Sequence, residues 1–278
     1  MLSLLLLALL PTALTHGVVT SVQGANGVTL PGLSLIDGTP RDCASPGCGS
    51  EADTSIIRSR ELGTSKASAL GRTQGGGPVD AAKMIALFMD GAGGNDSAVL
   101  AAREAHSRHT GLMTRAGGGG GVKTAKGTVE SGVKAATGAA ATSGLPTTSD
   151  NGVLTLTYHQ VNQDGAGPLT ASIDPTSGGT DPSAFVSAKV TTNVPGAGFG
   201  GLSLATTTDF PVEVQMPAGM TCSGSVAGVE GVCIARLQNS ALAGPFGGSV
   251  AFTLSGAAKK RAVLERVKMV KARALGRQ

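Results

Sequence analysis

Nine residues in the middle of the chain, Val153-Leu154-Thr155-Leu156-Thr157-Tyr158-His159-Gln160-Val161, alternate apolar and polar side chains with a period of two. That period belongs to a strand with one face in a core. Val153, Thr155, Thr157 and His159 fall on one face; Leu154, Leu156, Tyr158 and Gln160 fall on the other. The strand runs into Asn162-Gln163-Asp164-Gly165-Ala166-Gly167-Pro168, a dense turn. Further short runs lie at Val18–Val22, Leu169–Ile173, Phe185–Val194, Val212–Gln215, Cys233–Leu237 and Ser249–Leu254, separated by Gly/Pro turns. Regularly spaced short strands predict an all-β chain, a β-sandwich with long loops. The 43 glycines and the 3% of aromatic residues favour such a turn-rich fold over a helical one.

Helices are expected in few places. Pro78–Met89 has Pro at a first helical position and Gly91 past its end, with Met84, Leu87 and Phe88 on one face. Residues 54–61 read equally as a short strand or a helical turn. Residues 91–146 hold glycine runs and segments of Ala, Lys, Thr and Ser with little apolar bulk, which predicts a flexible insertion. One helix is expected within it, Ala98–His109, and Asn95-Asp96-Ser97 is its glycosylation sequon. His106 and His109 are expected to be solvated there. The insertion's glycine run is no phosphate loop, since no Gly-Lys-Ser/Thr follows it. From Ala257 the chain turns basic, with Val263, Val267, Val270 and Ala274 at helical spacing. Such a helix can lie on an anionic membrane or wall polymer; the alternatives are a solvated tail, or one removed after Lys260-Arg261. The net charge of +4 is concentrated there, so nothing in the core points to nucleic acid.

The first fifteen residues look disposable. Leu2 to Leu10 is nearly unbroken Leu and Ala, and Pro11 to Thr15 follows as a small-residue segment, the layout of a secretory signal peptide. The apolar run is too short to span a membrane, so a secreted monomer is expected. Four cysteines then read as disulfides, and their spacing favours Cys43–Cys48 and Cys222–Cys233 among three connectivities. Cleavage after Thr15 leaves His16 first, with an α-amine and an imidazole that can chelate copper(II). Cleavage after Ala13 leaves Leu14-Thr15 in front and removes the chelate. His159, late in its strand beside a turn, is the best second ligand. On its own, a strand histidine is more often structural.

The chain also resembles a family of fungal secreted proteins, the appressorium-associated cell-surface or virulence-factor family. The stretches that carry the resemblance include His16-Gly-Val-Val-Thr, Asp37-Gly-Thr-Pro-Arg-Asp and Tyr158-His-Gln-Val-Asn-Gln-Asp-Gly-Ala-Gly-Pro. Asp209-Phe-Pro-Val-Glu-Val-Gln-Met-Pro and Ala243-Gly-Pro-Phe-Gly-Gly continue it; the insertion and the basic tail are poorly covered. Members of that family begin with a histidine after processing and look like distant relatives of lytic polysaccharide monooxygenases. The resemblance implies an immunoglobulin-like sandwich over residues 16–255, with a copper histidine brace of His16 and His159 on a flat face. It implies Phe246 as the axial residue, with Tyr158 as the weaker choice, and Gln160 or Gln238 as the polar neighbour of a bound oxygen species. Many relatives carry cysteines where this chain has Leu70, Ala171, Leu237 and Ser249, which implies the loss of two disulfides.

Two functions follow. One is copper-dependent oxidation of a cell-wall polysaccharide. The other is a non-catalytic virulence factor that binds the wall, the host surface or copper on the same fold. A hydrolase is disfavoured, because no GxSxG motif occurs. With no Trp and one Tyr, a flat glycan platform has little to stack on. Soluble or charged polymers such as pectin suit the chain better than crystalline cellulose or chitin.

Overall fold

The computed structural model describes residues 16–90, 120–198 and 200–275. The expected signal segment, the Ala98–His109 helix with its two histidines, and the Asn95 sequon lie outside them.

Thirteen strands carry the described fold: β1 (Gly17–Gln23), β2 (Thr29–Pro31), β3 (Ser55–Ile56), β4 (Arg72–Thr73), β5 (Gly77–Pro78), β6 (Val122–Lys123) and β7 (Val153–Gln160), then β8 (Thr170–Asp174), β9 (Val186–Thr192), β10 (Thr208–Gln215), β11 (Gly224–Val226), β12 (Val229–Gln238) and β13 (Phe246–Phe252). Their order is β2-β1-β7-β10-β9-β8-β12-β13-β3-β4-β5, with β6 added to β10 and β11 to β12. β9 pairs antiparallel with β10 on one side and β8 on the other, so it joins two layers. The layers face each other, and β1 lies so close to β13 that a Cβ on Gly248 would sit 3.0 Å from the Val19 nitrogen. Val19, Leu154, Leu156, Tyr158 and Val212 of one layer meet Ile173, Ile234, Leu237, Val250 and Phe252 of the other in one core. The expected β-sandwich is therefore formed, curled towards a half-barrel.

The alternation in β7 is realised as read: Leu154, Leu156 and Tyr158 enter the core. Ser55–Ile56 resolves as a strand, pairing with Phe246 and Gly247. β10 begins at Thr208, four residues before the expected strand, because Pro211 interrupts the pattern in the sequence. Pro211 pairs with Thr157 beyond the end of the β9 ladder, at a point where a missing N–H is tolerated. Both expected disulfides are present. Ala171 and Leu237, two of the four positions where relatives carry cysteines, are direct cross-strand partners with apolar side chains here.

Two expectations are corrected, the start of the middle helix and the flexibility of the whole insertion, while the basic tail is helical as expected. The helix α1 spans Ala81–Met89 and its N-cap is Asp80, whose carboxylate accepts from the Lys83 amide at 3.0 Å. Pro78 belongs to β5 instead, and the buried face is Ala81, Ile85 and Phe88. Within the insertion, residues 120–146 are built into the fold. β6 pairs with β10, and a one-turn helix α2 (Gly132–Ala135) follows. The Gly138 and Ala140 amides donate to the end of α1, at Leu87 and Phe88. Ala136, Ala140 and Leu145 join the core. Small residues supply little apolar area here, but they allow close backbone approach and hydrogen bonding. The basic tail forms α3 (Gly256–Leu275), of which only Ala258 is buried.

Candidate metal centre

The pairing of β1 with β7 sets the site. Val18 lies opposite His159, and the Val161 amide donates to the His16 carbonyl at 3.0 Å, which carries the pairing past the end of β1. His16 and Val18 are two residues apart and share a face, so His16 is the diagonal neighbour of His159. Diagonal neighbours have Cα atoms about 7–8 Å apart, within reach of two imidazoles. Gly17 falls on the opposite face, where a Cβ would come 2.1 Å from the Tyr158 hydroxyl oxygen. Only glycine lets this segment lie down over that ring.

Each histidine has its own carboxylate. His159 Nδ1 is 2.8 Å from Asp209 Oδ1, its register partner on β10, and Thr124 Oγ1 donates to Asp209 Oδ2 at 3.3 Å. A carboxylate at Nδ1 keeps the proton there and leaves the Nε2 lone pair available to a metal. His16 Nδ1 is 3.1 Å from Glu51 Oε1. The main-chain nitrogen of His16 donates to Asn162 Oδ1 at 2.7 Å, and Asn162 Nδ2 donates to the same Glu51 oxygen at 3.2 Å. Both donors of the expected chelate thus face one Glu51–Asn162 pair.

His16 is 1% exposed and His159 0%. Neither ring nitrogen of His16 makes a hydrogen bond, its Nδ1 having only the 3.1 Å ion-pair contact with Glu51, and His159 Nε2 has no partner among the described residues. A buried polar nitrogen left unpaired costs about 1–3 kcal/mol, so these on one sheet face point to a shared ligand. These residues fit a metal that accepts imidazole. Among the described residues no three His, Cys, Asp or Glu side chains gather to hold a metal. A brace asks for only two, with the amine as third donor.

Of the other sequence candidates, Phe246 is at the site. Its ring centroid is 4.2 Å from that of His16, at 37°. Asn239 fixes it, accepting from the Phe246 and Ala241 amides at 3.0 and 3.2 Å. Tyr158 faces the core, its hydroxyl donates to the Gly165 carbonyl at 2.9 Å, and burial pushes its pKa well up. Strand alternation also turns Gln160 away from His159. Its Nε2 donates to the Asn162 and Ala205 carbonyls and to Ser203 Oγ, tying down the loop there. Gln238 pairs with Gly247, one residue past Phe246. Periodicity does not single out Glu51, Asn162, Asp209 or Asn239. Asn162 and Asn239 lie just past expected strands and Asp209 just ahead of one, whose extension Pro211 hides.

A family model described as Egh16-like virulence factor matches residues 14–247. The chain belongs to that family. Over 252 residues, 89% of this chain and 86% of the relative, it is 73% identical to the appressoria-specific virulence factor GAS2 of Pyricularia oryzae. It is 31% identical over 262 residues, 93% of this chain and 81% of the relative, to the appressoria-specific virulence factor GAS1 of the same organism. No solved structure matches the chain.

Proposed function

We propose that this virulence-factor homologue is secreted, is cut between Thr15 and His16, and holds copper between its new N-terminus and His159. The observation that carries this reading is the β1–β7 register, which gives two buried imidazoles one sheet face, with both ring nitrogens of His16 and the Nε2 of His159 free of hydrogen bonds. Asp209 holds the His159 tautomer, while Glu51 and Asn162 lie against the Nδ1 and main-chain nitrogen of His16 that would chelate the metal. Phe246 walls the site against water. Copper in such a site supplies oxygen or peroxide chemistry able to attack a strong C–H bond. On this reading the substrate is a cell-wall polysaccharide held by polar contacts.

A second reading has its own support. The burial of both histidines favours a protein that holds copper without presenting it to a polymer. Two measurements test the shared copper site and a third separates the readings. Intact mass of the secreted protein is expected to begin at His16; a chain beginning at Leu14 removes the amine and sinks the brace. Calorimetry is expected to show tight copper binding that disappears in His159→Ala. Ascorbate-driven turnover on wall glycans is then expected to release oxidised products. Copper binding without products leaves the non-catalytic reading standing.

A further inference from the structure

The metal centre makes no use of the last helix. α3 rests on the sandwich through Ala258, Ala262 and Glu265, which line a cleft of about 400 Å³ with Met216, Pro217 and Met220. One turn on, Met269 reaches Gly219, where a Cβ would lie 2.4 Å from its methyl carbon. These docked positions are spaced four, three and four residues apart. Val263, Val267, Val270 and Ala274 repeat that spacing five residues later, turned about 140° around the axis and away from the protein. The three valines are 46%, 46% and 61% exposed. Lys259, Arg266 and Arg273 run along one border of the stripe, and Lys260 and Lys271 along the other, all exposed.

Folding does not account for this face. Valine is a weaker helix former than the straight-chain residues, and an aligned apolar stripe in water gains nothing. The spacing is that of a contact seam. A second copy of α3 is a poor occupant, because its flanking Arg266, Lys271 and Arg273 would meet their own kind across the seam. An acidic wall polymer matches the cations but offers the valines no apolar phase. An anionic lipid surface matches both.

We infer that α3 seats the protein on an anionic lipid bilayer, with the valine stripe at the acyl boundary and the two cationic rows on the headgroups. The test is co-sedimentation of the full secreted chain with phosphatidylcholine vesicles, with and without phosphatidylserine, at about 0.1 M salt. Partition is expected to be at least about tenfold higher with phosphatidylserine. It is expected to fall about a hundredfold in Lys259→Gln/Arg266→Gln/Lys271→Gln/Arg273→Gln and about tenfold in the uncharged Val267→Asn. Both variants are expected to melt with the wild type, since these side chains are exposed. Equal binding to both vesicles overturns the inference. So does full binding by Val267→Asn, the result of a purely ionic contact that polygalacturonate would compete away. A concentration-dependent dimer lost in Val267→Asn assigns the stripe to a second copy and overturns it too.

Discussion

Two buried polar clusters border the same cleft of about 430 Å³, which Arg41, Glu130, Thr124 and Asp209 line together. In one, Arg41 donates through Nε to Glu130 and through Nη1 to Asp53, both at 3.0 Å. The remaining carboxylate oxygens accept backbone amides: Ile36 on Asp53, and Ser131 and Gly132 on Glu130. Burial works against the Arg41 charge, but Asp53 and Glu130 outweigh it and hold its pKa above the ordinary value. In the other cluster Asp209 engages His159 Nδ1 and Glu51 approaches His16 Nδ1, but both ring nitrogens of His16 and the Nε2 of His159 make no hydrogen bond. Burial is equal and the chemistry is similar, so the difference is completeness. A closed network fixes the 38–41 and 128–132 segments to each other, whereas an open one keeps lone pairs for a ligand.

The comparison can be broken from either side. Arg41→Met leaves two buried carboxylates uncompensated and is expected to cost about 3–5 kcal/mol. That is a fall in Tm of about 10 °C for a domain of this size, read by calorimetry at neutral pH. A loss within about 1 kcal/mol makes the triad a surface-like pair and ends the contrast. Copper is expected to act only on the open cluster. At a free concentration about 100 times Kd it adds about 2.7 kcal/mol of stability, in the wild type and in Arg41→Met alike, and nothing in His159→Ala. The increment is expected to shrink in acid, because protons compete for the donor nitrogens. An increment in His159→Ala, or one undiminished at acid pH, places copper elsewhere.

A finer probe separates the ligand from the group that holds it. Asp209→Asn keeps the shape but weakens the grip on His159 Nδ1, and is expected to reduce copper affinity about 10–100-fold, with only a small change in apo Tm. An unchanged affinity makes Asp209 a packing residue. This carboxylate also marks where sequence reading stopped. The alternation in β7 placed Tyr158 in the core and His159 opposite it. Which carboxylate meets His159 depends on the register with β10, fifty residues away, and Pro211 disguised that strand. Glu51 sits in a loop beside Cys48 with no period to signal it. The order in residues 120–146 was illegible for another reason: its holding contacts are backbone hydrogen bonds between Ala and Gly positions, which composition reads as weakness.

Asp174 sharpens the contrast from a third place, as a closed network around one carboxylate. Its oxygens accept the amides of Thr176, Ser177 and Gly179 at 2.9, 2.8 and 2.7 Å, and the Ser177 hydroxyl as well. Burial raises its pKa, but these hydrogen bonds outweigh burial and leave it below the ordinary carboxylate value. The sign follows directly. A depressed folded pKa stabilises the protein above the unfolded value of about 3.9, and that stability is lost as pH falls through the folded pKa. Asp174→Asn is therefore expected to lower stability by about 1.5–3 kcal/mol at pH 7, the worth of hydrogen bonds to a charged group. The gap to the wild type is expected to narrow as pH drops below about 4. Thermal melts of both proteins across that range measure it. A gap that holds constant down to acid pH means the loop is closed by geometry alone, without help from the charge.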